Sequence, residues 1–102
     1  MNALIKIDAV KPLADYWLRL TFSDGAVKDV DVEEILRQGP VFSTIRADRR
    51  VFEQVSVNPE TGTIQWPGDV DLDPEVLYGS FEPGSGVQIT RRTVSQPATA
   101  HA

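Results

Sequence analysis

The chain has 102 residues, 41% of them hydrophobic and 25% charged, with no cysteine and a formal net charge of -5. That length allows one domain with a modest core, and the apolar share excludes a wholly disordered or membrane-embedded chain. The lack of cysteine excludes disulfides, thiolate metal sites and thiol catalysis, and the negative balance argues against broad non-specific attraction to nucleic acid. The N-terminal "MNALIKIDAV" carries Asp8 within its apolar stretch and lacks the form of a signal peptide, and no run of about 18 apolar residues occurs. A cytoplasmic protein without membrane contact is expected.

In chain order, "ALIKIDAVKP" reads as a strand that puts Ile5, Ile7 and Ala9 on one face and stops at Pro12. "YWLRLTF" is the clearest strand: Tyr16, Leu18, Leu20 and Phe22 alternate with Trp17, Arg19 and Thr21. Ser23-Asp24-Gly25 suits a tight hairpin turn, and "AVKDV" returns as a third strand, completing a meander. A helix is then expected from Asp31 as N-cap, with Glu34 closing a capping box and Val30 stapled to Ile35, until Gly39-Pro40 stops it.

"PVFSTI" predicts a short helical turn with Val41, Phe42 and Ile45 on one face, and "DRRVFEQV" another, capped by Asp48, with Val51, Phe52 and Val55 inward. Helices this short need the sheet to hold them. Pro59 to Gly62 reads as a turn before the strand "TIQW", giving a second hairpin. Trp66 is expected in the core beside the Pro67-Gly68 corner. Val70 and Leu72 should face inward, opposite the aspartates, before Asp73 caps a helix that starts at Pro74 and closes at Gly79. The folded domain is placed at 1–81, with 82–102 a flexible polar tail that can add an edge strand near 87–94. The fold class is therefore α+β: a small antiparallel sheet, built from the meander and the second hairpin, with short helices packed on it.

Candidate chemistry is sparse. Asp69, Asp71 and Asp73 begin like a calcium loop, but the sixth position is Pro74 where glycine is required and the twelfth is Ser80 where glutamate is required. No metal and no cofactor are expected. The one histidine, His101, stands beside the C-terminus, and no phosphate-binding loop or nucleophile elbow occurs, so no catalytic residue is assigned and no enzyme is expected.

Charge is unevenly spread: Glu60 to Glu82 holds six acids and no base, while Arg37 to Arg50 holds four arginines against one aspartate. Such blocks are commonly solvated faces. Once the turn and cap are accounted for, Asp69 and Asp71 lack a structural duty and are candidate partner contacts. Trp17 is either covered by helices on the second face of the sheet or an exposed anchor for a partner. Arg37, Arg46, Arg49 and Arg50 are the candidates for an alternative nucleic-acid function.

"YWLRLTFSDG", "DVDVEEIL" and "GPVFSTIRADRRVFEQVSVNPETGTIQWPGDVDLDPEVLY" together resemble the domain-of-unknown-function 2442 family of small bacterial proteins. The resemblance spans Leu4 to Tyr78 and is most specific in "GTIQWPGDVDLDPEVLY". It implies a small antiparallel sheet with short helices and supplies no catalytic residues. It also implies a short chain encoded beside another small protein, as in toxin–antitoxin pairs. Some members carry an added helix-turn-helix domain, for which the tail here is too short and too polar. The expected function is a non-enzymatic protein-interaction module, the antitoxin-like or accessory member of a two-protein system, whose acidic side meets a basic partner encoded nearby. A homodimer stays open as an alternative, and nucleic acid is not expected to bind this domain alone.

Overall fold

The structure, a computed structural model, describes residues 5–68, 70–79 and 89–94. Among the described residues, seven strands form two antiparallel sheets. In the first, β1 (Ile7–Pro12), β2 (Trp17–Phe22), β3 (Val27–Asp31) and β7 (Thr90–Thr93) lie in the order β1-β2-β3-β7. In the second, β4 (Ser56–Asn58), β5 (Thr63–Trp66) and β6 (Val70–Leu72) lie in sequence order. The short helices α1 (Glu33–Leu36), α2 (Ser43–Ala47), α3 (Arg49–Phe52) and α4 (Pro74–Tyr78) complete an α+β fold, with a 3-10 turn at Pro40–Phe42 leading into α2. No helix among the described residues is long and apolar enough to cross a membrane.

Alternation builds the core. Leu18, Leu20 and Phe22 of β2 are fully buried, as their period of two requires, and Val30 and Val32 join them from β3 and its end. Ile35, Leu36, Ile45, Phe52 and Leu77 from the helices, and Ile64, Trp66 and Val70 from the second sheet, close on the same side. Both sheets thus bury one face against a common core and turn the other outward. They are joined at β1, where the Ile7 amide donates to the Gly62 carbonyl at 2.9 Å.

Capping follows side-chain chemistry. The Asp48 carboxylate accepts from the Arg50 amide at 3.0 Å, and that of Asp73 from the Glu75 amide at 2.7 Å, with Pro74 at the first helical position. Gly79 ends α4 in the left-handed region at φ 107°. Trp66 is buried, its indole N–H donating to the Phe52 carbonyl at 2.9 Å.

Three local expectations are corrected. A register shift between Ile7 and Ala9 adds Asp8 as a bulge, so Ala9 turns outward and Val10 packs on the core. Asp31 is the last residue of β3, not an N-cap; its carboxylate still accepts from the Glu33 amide at 3.0 Å, and α1 starts at Glu33. Val41 is 58% exposed, because the 3-10 turn rotates it away from the face that Phe42 and Ile45 share.

Candidate functional site

The outer face of the four-stranded sheet carries Trp17, Arg19 and Thr21 of β2, the residues left over when their neighbours go to the core. Strand register sets Lys11, Arg19, Asp29 and Arg92 side by side in one cross-strand row, and Trp17, Asp31 and Thr90 in the next. The helical residues Ile35, Leu36, Ile45, Phe52 and Leu77 share one core cluster with Leu18, Leu20, Phe22 and Val30, which line the opposite face of this sheet.

Asp29, only 5% exposed, is the hinge of the arrangement. Arg19 meets it with a two-pronged contact, Nε to one carboxylate oxygen at 2.8 Å and Nη2 to the other at 3.0 Å. Arg92 approaches the second oxygen at 3.7 Å, and its guanidinium lies 4.3 Å from the centre of the Trp17 ring. The half-buried Trp17 and the buried Asp29 are therefore roofed by an arginine whose side chain is itself 64% exposed. Arg19 and Arg92 share the Asp29 carboxylate and Lys11 stands beside Arg19 at the far end of the row, while Asp31 in the next row adds a second carboxylate, giving an aromatic, weakly basic strip on an acidic protein.

The Arg19 guanidinium hydrogen bonds hold the Asp29 carboxyl below the usual carboxylate range; burial pushes the other way, and the charges of Arg19 and Arg92 pull it down further. Asp24 is lowered too, first by the Tyr78 hydroxyl and then by the Ala26 amide, and the Tyr78 bond raises the Tyr78 phenol in turn. For both carboxyls the folded pKa lies below the unfolded one, so their contribution is complete above about pH 4 and is lost as pH falls through the folded values. For Tyr78 it is complete below about pH 10 and is lost as pH rises through the raised value. Urea midpoints measured against pH should show both limbs, with a shallower acid limb in Asp24→Asn and Asp29→Asn; an unchanged acid limb in both would refute the assignment.

The four arginines singled out by sequence divide unevenly. Arg37, Arg46 and Arg49 gather around Tyr16, on the rims of two adjoining open hollows of about 530 and 580 Å³. Arg37 pairs with Glu33 at 2.6 Å, a contact that raises its pKa, and Arg49 pairs with Glu53 at 2.7 Å while donating to the carbonyls of Leu13 and Asp15. Arg46 donates to the Leu36 carbonyl at 3.1 Å, and its own carbonyl accepts from the Tyr16 hydroxyl at 2.7 Å. Arg50 is 89% exposed, with Asp48 at 3.7 Å. This cluster ties the β1–β2 loop to α1, α2 and α3, and neighbouring carboxylates offset much of its charge.

Asp71 is exposed on the outer face of the second sheet, across from Gln65, and so lies on a different sheet from Trp17. Asp69 lies outside the described residues. Among the described residues, no group of three His, Cys, Asp or Glu side chains stands where it could hold a metal ion. Arg19 and Asp29 could have been paired from sequence, since the Ser23-Asp24-Gly25 turn sets them opposite each other. Arg92 could not, because β7 reaches β3 from a distant part of the chain.

A two-sheet α+β domain with a weakly basic, aromatic face that is open among the described residues is thus the class of molecule that these residues define. The model of a family described as "Protein of unknown function (DUF2442)" matches residues 7–83, and the chain belongs to that family. No curated protein matches it. A crystal structure of a putative DNA binding protein from Nitrosomonas europaea ATCC 19718 is similar, with 38% identity and a TM-score of 0.58. The match covers 67% of this chain and 44% of that protein, so the chain spans less than half of that relative's length.

Proposed function

We propose that the chain is a non-enzymatic protein-interaction module whose working surface is the outer face of the four-stranded sheet. The observation that carries the reading is Trp17, a half-buried aromatic on the outer face of the sheet, held in place under Arg92 beside the Arg19–Asp29 pair. Tryptophan and arginine dominate the energetics of protein interfaces, and side chains fixed before binding lose little entropy on docking. The finer reading is an antitoxin-like or accessory member of a two-protein bacterial system, with Asp71 as a second contact, on the other sheet, for a basic patch of the partner.

A nucleic-acid regulator is the second reading, favoured by the name of the N. europaea relative and by the basic character of the strip. Coexpression with the protein encoded beside it, followed by gel filtration in low and high salt, separates the two. A protein complex that survives moderate salt supports the first reading. Nucleic acid that coelutes in low salt and dissociates steeply as salt rises, with no protein complex, would replace it with the second.

A further inference from the structure

We propose that the outer edge of β7 is a strand-addition site for an extended acidic segment of a partner protein. This inference rests on the interaction reading above and names the mode and chemistry of the contact. Among the described residues β7 ends the four-stranded sheet, whereas the opposite edge strand, β1, is tied to the second sheet through the Ile7 amide and the Gly62 carbonyl.

Register fixes which backbone groups are free. Lys28 lies opposite Thr93, and the Val94 amide donates to the Val27 carbonyl at 2.8 Å, so Val94 belongs to a hydrogen-bonded pair. Alternation then directs the backbone groups of Arg92 and Thr90 towards β3 and those of Arg91 and Thr93 towards the open edge. Among the described residues nothing pairs with that edge, and an added strand would satisfy it as a sheet interior does.

Side chains specify the occupant. The row Lys11, Arg19, Asp29, Arg92 ends at the β7 edge with three cations to one carboxylate, and the next position in the row belongs to the incoming strand. A glutamate or aspartate there would face Arg92 at cross-strand distance. On the other face of β7, Arg91 is engaged, donating to the carbonyls of Leu77 at 3.0 Å and Val76 at 2.7 Å at the C-terminus of α4. A second copy of this chain fits poorly. The two-fold registers that centre β7 on itself place Arg91 against Arg91 or Arg92 against Arg92, like charges directly opposed.

The test uses the full chain and a labelled synthetic peptide of alternating glutamate and threonine, with its lysine counterpart as control, read by fluorescence anisotropy. The glutamate peptide should bind, and the lysine peptide, Arg92→Glu and Thr93→Pro should each weaken binding by about tenfold or more. Thr93→Pro removes an amide that points to the open edge, leaving the Asp29–Arg92 pairing in place. Should that variant fold poorly, hydrogen exchange of the wild type decides, since the peptide should slow the Arg91 and Thr93 amides. The proposal is overturned by absent binding, by equal binding of the lysine peptide, by unprotected amides, by an oligothymidine that binds in the peptide's place, or by a dimer that Thr93→Pro disperses. If the encoded neighbour binds and is released by Trp17→Ala but not by Thr93→Pro, the edge site fails while the sheet-face reading stands.

Discussion

Phe52→Ala should lower the stability of the chain by about 3–5 kcal/mol, a large share of the roughly 5–15 kcal/mol that a domain of this kind holds in total. The ring is fully buried. Tyr16 meets it edge-on at 5.6 Å between centroids, Trp66 lies tilted at 6.2 Å, and the Arg49 guanidinium sits 4.9 Å from its centre. Alanine removes the partner of all three and leaves a cavity where the helices meet both sheets. The indole bond to the Phe52 carbonyl is to backbone and does not compensate. A urea midpoint that falls steeply with an unchanged slope is the expected result. A loss below about 1 kcal/mol would show that the site collapses around the gap, and that the aromatic cluster contributes little to the core shared by the two sheets.

Gly62→Ala should cost about 2–5 kcal/mol, from two causes that can be measured apart. Gly62 has φ +74°, and an added methyl carbon would stand 2.5 Å from both Cβ and Cγ of Lys6. The Lys6 Cβ is fixed to backbone, and that backbone is held where the Ile7 amide meets the Gly62 carbonyl, so relief requires the two sheets to part. Gly25 provides the control: its φ is +90°, but nothing lies within 4 Å of the added carbon. Gly25→Ala should therefore show only the left-handed backbone cost of about 1–2 kcal/mol. Equal losses in the two variants would mean that the contact with Lys6 adds nothing.

The elements that sequence disclosed are those set by local chemistry. The alternation from Tyr16 to Phe22, the Ser23-Asp24-Gly25 turn, and the caps at Asp48 and Asp73 each depend on neighbours within a few residues, and each stands as read. Ala9 departs from its expected face because the bulge at Asp8 leaves no trace in the hydrophobic pattern and yet reverses the faces that follow it. Val41 was misplaced because a 3-10 turn, with its tighter winding, presents residues differently from the α-helix its spacing suggested.

The candidate site was legible only in part. Trp17 stood out as a large aromatic on the polar side of a strand, but what lies over it is Arg92, brought in by long-range pairing. The arginines between residues 37 and 50 looked like one basic surface. In the fold, Arg46 and Arg49 donate to backbone carbonyls and Arg37 and Arg49 pair with glutamates, which is work done for the fold. Composition counts charges but does not show which carbonyl or carboxylate each one faces.

Titration calorimetry of the adjacently encoded protein into the wild type, Trp17→Ala and Asp71→Lys tests the interaction reading most directly. Binding to the wild type, with an affinity about tenfold or more weaker in Trp17→Ala and a smaller change in Asp71→Lys, is the expected outcome. No binding to the wild type, or an affinity that Trp17→Ala leaves unchanged, would contradict the claim that the open face of the four-stranded sheet is the working surface.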